Sequence, residues 1–416
     1  MTDHKNYPAL IGAIAGDTIG SIYEFNNTKR TDFVLLQPGM NYTDDSLMTL
    51  AVANWLYARD GAGLSYGEDE ILLTELMRSI AKDYPCPMGG YGGRFKQWLQ
   101  ANSPSPYNSW GNGSAMRVSA VGYAAATLEE ALDLAELSAA VTHNHPEGIK
   151  GAQATAAAIF MARKGSTKEE IIDYVEQHFG YDLHRNCDEI RPTYHFDESC
   201  QGTVPEAIVA FIDSHDFESA MRLAVSLGGD SDTLACITGG IAAAYYNDIP
   251  QAIVEFVANN LPTDLVTVVN RFCSHYGYKT IDQPSRHRGD RITPAHITNL
   301  KPNEVFVFGS NLAGFHGGGA ARIAHAKFGA IWGQGVGMQG QSYAIPTMQG
   351  GVETIKPFVD QFIDYARQNP IFRFYVTRIG CGIAGFTDEE IAPLFREAVD
   401  VENICLPTEW WALLDR

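Results

Sequence analysis

The chain has 416 residues, of which 45% are hydrophobic and 19% charged, a composition typical of a globular protein of roughly two or three domains. Its net charge of -19 argues against general binding to nucleic acid or to a membrane surface, because both partners select for basic patches. No apolar run approaches the ~20 residues of a membrane-spanning helix, and the polar start lacks a signal-peptide pattern. The seven cysteines are scattered without a C-x-x-C pair, which predicts reduced thiols in a cytoplasmic protein.

The first predicted helix begins at Pro8, since proline is tolerated in a first turn, and its small residues let another element approach closely. Glu24 follows this helix and precedes a polar stretch. Taken alone, Glu24 is most simply a solvated loop acid. Next, residues 42–45 supply a hydroxyl and two carboxylates directly before apolar residues at helical spacing, which predicts a buried helix opened by an acidic turn. By itself that turn is most simply a helix cap.

Residues 68–82 are predicted to be helical, and residues 83–113 to be mostly loop around a short helical piece at 95–99, since prolines alternate with glycines there. A long loop inside a compact domain is often functional. This one leads to residues 109–114, whose glycines permit a close backbone approach to a ligand before a helix that begins near Ala115. A plain turn before a helix is the alternative.

Apolar periodicity then predicts a succession of helices with little strand pattern. These cover residues 128–142, 146–163, 167–178, 204–213, 217–227, 232–246 and 250–258. His143 and His145 lie between two of them, where a histidine pair usually serves as a polar turn.

A second acidic turn, at residues 226–233, joins two glycines to two aspartates and a threonine at the start of a buried helix. Together the two turns offer four carboxylates and two threonine hydroxyls. Four carboxylates at one site would repel one another strongly unless cations lay between them. Hard cations take oxygen ligands, so two magnesium-like ions would fit and would activate a water molecule.

These stretches resemble the ADP-ribosylglycohydrolase family, which includes dinitrogenase-reductase-activating glycohydrolase. The matching segments occur in the family's order and are residues 12–20 with Glu24, then 43–45, 111–117, 142–143 and 228–233. The resemblance implies an all-α catalytic domain over residues 1–282. It also implies a binuclear Mg²⁺ site, with Mn²⁺ as an alternative, that cleaves the N- or O-glycosidic bond to ADP-ribose.

The resemblance further implies roles for individual residues. The hypothesised metal ligands are Thr43, Asp44, Asp45, Asp230, Asp232 and Thr233. The expected substrate contacts are Ser109, Trp110, Gly111, Asn112, Gly113, Ser114 and His143. Glu24 takes the place of a flap-like acid near the scissile bond, and Glu24 and Asp45 are the candidates for acid–base catalysis.

The composition changes near residue 280, where the charge-dense stretch 283–291 is predicted to be a linker. Beyond it, residues 305–308 and 372–376 are typical of buried parallel strands, and each leads into a glycine-rich loop and then a helix, the second at 388–399. That layout presents backbone N–H groups to phosphates. It is neither a Walker loop nor the G-x-G-x-x-G fingerprint.

The two glycine-rich loops resemble those of macrodomains, which bind ADP-ribose. The resemblance implies a smaller three-layer α/β domain over residues 290–416, with Asn311 near the distal ribose. It places the phosphates against Gly317, Gly318, Gly319, Gly380 and Gly382. Cys381 and His316 are more simply loop residues than catalysts. Trp332, Phe328 and Tyr343 are more simply packing residues than adenine-stacking ones.

The chain is therefore predicted to be a magnesium-dependent hydrolase that removes ADP-ribose from a modified acceptor, with a protein arginine favoured, fused to an ADP-ribose-binding module. Its predicted partners are ADP-ribosylated protein, or another ADP-ribosylated acceptor, and ADP-ribose. One alternative is a non-catalytic reader of ADP-ribosylated targets. Another is a hydrolase of small derivatives such as O-acetyl-ADP-ribose. Fusion of an eraser to a reader suggests, by analogy alone, a bacterial defence or toxin–immunity role.

Overall fold

A computed structural model describes residues 6–281 and 291–414, and it divides the chain into two compact units, residues 1–284 and 285–416. The predicted linker at 283–291 lies outside the described residues except for its last position. Among the helices in the described ranges, none combines the length and the apolar character needed to cross a membrane.

The first unit consists of helices joined by loops, which confirms the all-α prediction for this part of the chain. Its helices are α1 (Ala9–Gly20), α2 (Asp44–Arg59), α3 (Tyr66–Asp83), α4 (Gly93–Gln100), α5 (Val121–Ala124), α6 (Leu128–Ala140), α7 (Pro146–Arg163), α8 (Lys168–Phe179), α9 (Cys187–Ile190), α10 (Cys200–Asp213), α11 (Phe217–Leu227), α12 (Ser231–Tyr246), α13 (Gln251–Asn260) and α14 (Thr263–Tyr276).

Helices α1 and α12 form the centre of this unit, and every residue of α1 is buried. Glycines allow their backbones to touch: a Cβ added at Gly12 would lie 2.3 Å from the Gly239 carbonyl oxygen, and one at Gly20 would lie 2.5 Å from Asp232 Cα. Only glycine fits such an approach. The end of α1 is thereby held directly against the acidic first turn of α12.

The helix predicted to begin near Ala115 is wrong. A short 3₁₀ turn at Asn112–Ser114 is followed by irregular backbone, and the next helix is the single-turn α5. The physical reason is Arg117, which is buried and donates from Nη2 to Ser138 O at 2.5 Å and to Thr142 Oγ1 at 2.8 Å. Those bonds anchor the segment across the core and replace the helical ladder.

The second unit is a small α/β domain with a five-stranded sheet in the order β2-β3-β1-β4-β5. Its strands are β1 (Glu304–Ser310), β2 (Gly337–Gln339), β3 (Ser342–Pro346), β4 (Arg373–Val376) and β5 (Ile404–Cys405). Its helices are α15 (Gly319–Lys327), α16 (Lys356–Gln368), α17 (Asp388–Ile391) and α18 (Thr408–Leu414). Strand β1 is parallel to β3 and β4, as predicted for its apolar run, and only β2 is antiparallel to its neighbour.

Alternation along β1 builds two cores, one on each face of the sheet. Val305 and Val307 pack with residues of α16 and α18, whereas Phe306 and Phe308 pack with α15. The helix predicted over 388–399 is wrong in its second half. It ends as α17 and continues as a kinked 3₁₀ segment, Ala392–Asp400, since Pro393 lacks the N–H that an α-helix requires.

Candidate functional site

A cavity of about 340 Å³ in the helical unit brings together most of the residues predicted for the site. Two acidic turns that are far apart in sequence meet there, because α2 and α12 both begin at its wall. The predicted residues that line it are Glu24, Asp44, Asp45, Ser109, Gly111, Asn112, Gly113, His143, Asp230, Asp232 and Thr233.

Three carboxylates form the tightest acidic group. Glu24, Asp230 and Asp232 each place one oxygen within 4.8 Å of the others, which is a spacing that a metal ion can bridge. Thr233 Oγ1 donates to Asp45 Oδ1 at 3.3 Å and so links the first turn of α12 to the first turn of α2. The Asn112 amide, from the glycine-rich loop, donates to Asp230 Oδ2 at 2.7 Å.

Asp17 is a residue behind the site that sequence reasoning did not single out. It lies inside α1, is fully buried, and accepts hydrogen bonds from Thr43 N at 2.9 Å, Thr43 Oγ1 at 2.7 Å and Ser46 N at 3.1 Å, as well as from the Ser46 hydroxyl. It therefore fixes the start of α2. The signal in the sequence was a lone carboxylate within a helix of apolar and small residues.

Thr43 does not line the cavity, and it caps α2 through Oγ1, which accepts from Asp45 N at 3.2 Å. The simple capping interpretation of this turn therefore holds. The Thr43 hydroxyl also donates to Asp17, so one lone pair on the oxygen is left for a further contact.

Burial and mutual repulsion raise the pKa values of the acidic side chains at this site. Burial first, and then neighbouring carboxylates, raise the pKa values of Asp44, Asp45 and Asp232 well above their usual range. Burial raises the pKa of Glu24 to about 7, with Asp230 as the next contributor. Burial also raises the pKa of Asp17 to about 6, against the lowering effect of its hydrogen bonds.

Two of these carboxylates have buried oxygen atoms, Asp45 Oδ2 and Asp232 Oδ1, that find no hydrogen-bond partner within the described residues. A buried acceptor left unsatisfied is costly, and like charges around it increase the cost. Divalent cations would relieve both penalties. Because every donor in the group is a carboxylate or hydroxyl oxygen, the set fits a hard ion such as Mg²⁺ or Mn²⁺.

The glycine-rich loop forms another wall of the cavity. Gly111 and Gly113 lie so close to His143 that a Cβ on either would stand 3.5 and 3.2 Å from the imidazole Nε2. Nδ1 of His143 hydrogen-bonds with Thr142 Oγ1 at 2.7 Å. Burial, with the nearby charges of Arg117 and Arg94, lowers the pKa of His143 well below its usual value. Its imidazole is therefore neutral.

The structure does not bring two predicted contacts to this cavity. Trp110 is 47% exposed and its ring lies 5.4 Å from that of His145, outside the residues that line the cavity. Ser114 is buried and donates to Gly148 O at 2.7 Å, so it shapes the loop. Lining residues that sequence reasoning did not single out are Phe25, Met48, Gly89, Gly90, Tyr91, Gly92, Gly93, Arg94, Phe95, Tyr107, Met116, Arg117 and Glu198.

In the α/β unit, a cleft of about 140 Å³ lies at the carboxyl ends of β1 and β4. Five of the predicted residues line it, namely Asn311, Gly318, Gly319, Gly380 and Gly382. Gly317 does not line it. The Asn311 side chain is already engaged, since Nδ2 donates to Phe315 O at 3.0 Å and Oδ1 accepts from Phe315 N at 3.1 Å. It therefore shapes the first loop.

The other residues weighed in this unit make contacts within it. The Cys381 thiol donates to Asp388 Oδ1 at 3.4 Å, and burial raises its pKa to about 12, which is unsuited to a nucleophile. His316 is 1% exposed, with Nε2 3.0 Å from Ile331 O. Phe328 and Tyr343 are buried core residues. Trp332 is 54% exposed and packs against the ring of Phe315.

Comparison with known proteins places this geometry in context. Residues 3–280 match the model of the ADP-ribosylglycohydrolase family. ADP-ribosylhydrolase ARH3 from Mus musculus is 27% identical over 315 residues, which cover 57% of this chain and 82% of that protein. ADP-ribosyl-[dinitrogen reductase] glycohydrolase from Rhodospirillum rubrum is 27% identical over 273 residues, covering 58% and 86%. A solved ADP-ribosylglycohydrolase-related protein complex covers 64% of this chain and 96% of its own, with 24% identity and a TM-score of 0.48.

Proposed function

Because the chain belongs to the ADP-ribosylglycohydrolase family and is a hydrolase, we propose that its helical unit uses two Mg²⁺ ions to remove ADP-ribose from a protein side chain, preferably arginine. The observation that carries the proposal is the pair of buried carboxylate oxygens, on Asp45 and Asp232, that lack a hydrogen-bond donor within the described residues. They lie in one cavity although 187 positions separate them (232 − 45).

We assign the ions to oxygen atoms of the two acidic turns. The residues are Thr43, Asp44, Asp45, Asp230, Asp232 and Thr233. When bound, divalent cations neutralise this repelling group, orient ribose hydroxyls and lower the pKa of a coordinated water. Asp17 positions Thr43 and Ser46 from behind and does not itself line the cavity.

Glu24 is the group best suited to move a proton. It lines the cavity beside Asp230 and Asp232, and without bound cations burial raises its pKa to about 7. In hydrolysis, the water oxygen bonds to the anomeric carbon while the bond from that carbon to the acceptor nitrogen or oxygen breaks. The proton that water loses passes to a carboxylate, and a protonated carboxyl gives one proton to the leaving acceptor, so that no proton is gained or lost overall. Glu24 and Asp45 are the candidates for these two transfers. Nearby carboxylates stabilise the oxocarbenium-like charge.

The wall of the cavity that the glycine-rich loop forms is suited to the diphosphate. It carries the turn at residues 111–113 and the positive charges of Arg94 and Arg117. The Arg94 guanidinium lies 5.0 Å from the centre of the Tyr107 ring, and Tyr107 packs against neutral His143. A chain with a net charge of -19 needs such a local basic group in order to bind a diphosphate.

The C-terminal unit is, in our proposal, a macrodomain-like ADP-ribose reader. Supporting this are the strand, glycine-rich loop and helix at its cleft, which offer backbone N–H groups to phosphates. Among the described residues that line the cleft there is no aspartate or glutamate. A site without a general acid or base suits binding better than hydrolysis.

The test is an assay of the full chain on defined substrates. These are an arginine-ADP-ribosylated peptide, a serine-ADP-ribosylated peptide and O-acetyl-ADP-ribose, each with Mg²⁺, with EDTA, and with EDTA followed by excess Mg²⁺. We expect release of ADP-ribose from the arginine peptide, its loss in EDTA and its return with Mg²⁺. Undiminished turnover in EDTA would contradict the metal requirement. Release from O-acetyl-ADP-ribose alone would exclude a protein substrate. Binding of the substrates without release of ADP-ribose would favour the alternative of a non-catalytic reader.

A further inference from the structure

Two exposed aromatic rings lie together beside the cavity, and one of them, Phe25, lines it while the other, Phe196, does not. Phe25, directly after Glu24, lines the cavity and is 76% exposed. Phe196, from the loop before α10, is 44% exposed and stacks on Phe25 with ring centres 6.1 Å apart and planes inclined by 22°. A single exposed apolar side chain needs no explanation, but a contiguous pair beside a polar cavity is typical of a binding surface.

The pair is held in place by bonds between its two segments. Asn27 donates from Nδ2 to Gly229 O at 2.9 Å and accepts at Oδ1 from Gly229 N at 2.8 Å. Lys29 donates from Nζ to Tyr194 O at 2.9 Å. These contacts tie the segment after Glu24 to the loop that carries Phe196 and to the turn of α12. The two rings are therefore pre-positioned before any ligand arrives, which lowers the entropic cost of binding.

Charged side chains of both signs line the cavity. Arg94, Tyr107 and His143 form one contiguous group beside the glycine-rich loop. Glu24 and Glu198 also line the cavity, each within two residues of one ring of the aromatic pair, and the charge of Glu198 is close enough to affect Glu24. Glu198 is exposed, but its carbonyl accepts from Asn112 N at 2.7 Å, so its backbone position is fixed.

A matching substrate must be anionic at one end and cationic and planar at the other. ADP-ribosylated arginine has that form, since its diphosphate is negative and its guanidinium is positive and flat. Guanidinium groups stack on aromatic faces and pair with carboxylates. A serine-linked or acetyl-linked ADP-ribose has no cationic group for either partner.

We propose that Phe25 and Phe196 form an acceptor subsite that holds the guanidinium of an ADP-ribosylated arginine, with Glu198 as its carboxylate partner. The inference rests on the proposed hydrolase function and adds the residues that select the acceptor. The ring faces cover the leaving group beside Glu24, and the diphosphate lies beside Arg94 and the glycine-rich loop.

The test compares Phe196→Ala, Phe196→Leu and Phe196→Tyr in the full chain with Mg²⁺. Removal of one ring face should lower kcat/KM for the arginine-linked peptide about tenfold in the Ala variant. The Leu variant should show a similar loss because it keeps apolar contact without a π face. Tyr should restore turnover. Phe25→Ala should behave like Phe196→Ala, and Glu198→Gln should cause a smaller loss of about threefold, as for an exposed ion pair.

Two controls separate an acceptor role from a general one. Tyr66→Ala removes another ring, 58% exposed on α3 and outside the cavity lining, and should not change kcat/KM. The inhibition constant of free ADP-ribose against hydrolysis reports on the other end of the cavity, and it should move less than twofold in Phe196→Ala. A tenfold weaker inhibition constant would show that the rings hold ADP-ribose itself and would overturn the acceptor subsite.

The outcomes also separate this inference from the proposed function. If the wild-type chain releases ADP-ribose from none of the three substrates, the hydrolase proposal fails. If it acts on the serine peptide and not on the arginine peptide, the hydrolase stands and the guanidinium subsite fails. The subsite fails equally if Phe196→Ala and Phe25→Ala leave kcat/KM for the arginine peptide unchanged.

Discussion

The helical unit lines its cavity with carboxylates, whereas the α/β unit lines its cleft with glycines, small polar groups, apolar side chains and the positive charge of Arg378. Both are proposed to take ADP-ribose. In the first, Asp45, Asp230 and Asp232 are buried, and burial and neighbouring carboxylates raise the pKa values of Asp44, Asp45 and Asp232. The described lining of the second contains no acid at all. Cleaving a bond requires charged groups held close together against their repulsion, while holding the same ligand requires only donors and a shaped surface.

The two sites also differ in how their backbones are fixed. In the helical unit, side chains such as Asp17 and Asn112 bond the acidic turns into place. In the cleft, glycines allow the loop conformation. Gly319 and Gly380 have φ values of +51° and +76°, a region that residues with a Cβ rarely adopt. Loss of a single hydrogen-bonding side chain should therefore disturb a site of the first kind. A site of the second kind should instead be disturbed when a glycine is replaced by a larger residue.

The largest expected effect comes from neutralising one buried acid. Asp232→Asn keeps the shape of the side chain but removes a proposed metal ligand, so the rate of ADP-ribose release should fall at least about a hundredfold. This loss is larger than is typical for residues that only hydrogen-bond to a metal ligand. Asp45→Ala should have a similar effect. ADP-ribose binding by the second unit, followed by calorimetry, should persist. Asp133→Asn, an exposed acid on α6, is the matched control. Full turnover by Asp232→Asn and Asp45→Ala would refute the metal assignment.

The next largest effect should be the reverse, a loss of ADP-ribose binding by the second unit while hydrolysis by the helical unit is kept. Gly382 lines the cleft, has no atom within 4 Å of a would-be Cβ, and does not have a positive φ. Gly382→Glu should therefore place a negative charge in the cleft without strain and weaken ADP-ribose binding by the second unit about a hundredfold. Hydrolysis by the helical unit should be unaffected.

Gly317→Glu is the control for this variant. Gly317 has the same open surroundings and an ordinary φ, but it lies outside the cleft lining. It should leave binding by the cleft close to the wild-type value. Equal losses in the two variants would mean that the cleft is not where ADP-ribose binds.

The smallest expected effect concerns stability against pH in the metal-free protein. Folding raises the pKa of Glu24 from 4.5 to about 7. A carboxyl whose pKa is raised in the folded state contributes its full stabilisation below the unfolded pKa and loses it as the pH rises through the folded pKa. In EDTA, the melting temperature of the wild type relative to Glu24→Gln should therefore fall between pH 4.5 and 7.

Excess Mg²⁺ should weaken this pH dependence of the melting temperature, because bound cations would neutralise the carboxylates in place of protons. A difference in melting temperature that stays constant with pH in EDTA would contradict the raised pKa of Glu24. The α/β cleft has no counterpart to this effect among its described lining residues.

Much of the architecture followed from local patterns. The helical periodicity of residues 146–163 and 217–227 matched α7 and α11, because an apolar stripe at helical spacing has one way to be buried. The apolar run before each glycine-rich loop predicted the parallel strands β1 and β4 for the same reason. Short strands such as β2, β3 and β5 went unpredicted, since so few residues carry too weak a pattern.

The sequence by itself determined the kinds of group in the site, because Asp44, Asp45, Asp230 and Asp232 stand in turns that open buried helices. Only the tertiary structure decided that these turns meet, since their approach depends on glycine contacts between α1 and α12 and on buried Asp17. It alone also paired Phe25 with Phe196, which lie on separate loops without periodicity. The type of residue at each position can be read from the sequence directly. The electrostatic field and the shape of a cavity depend instead on which side chains folding brings together.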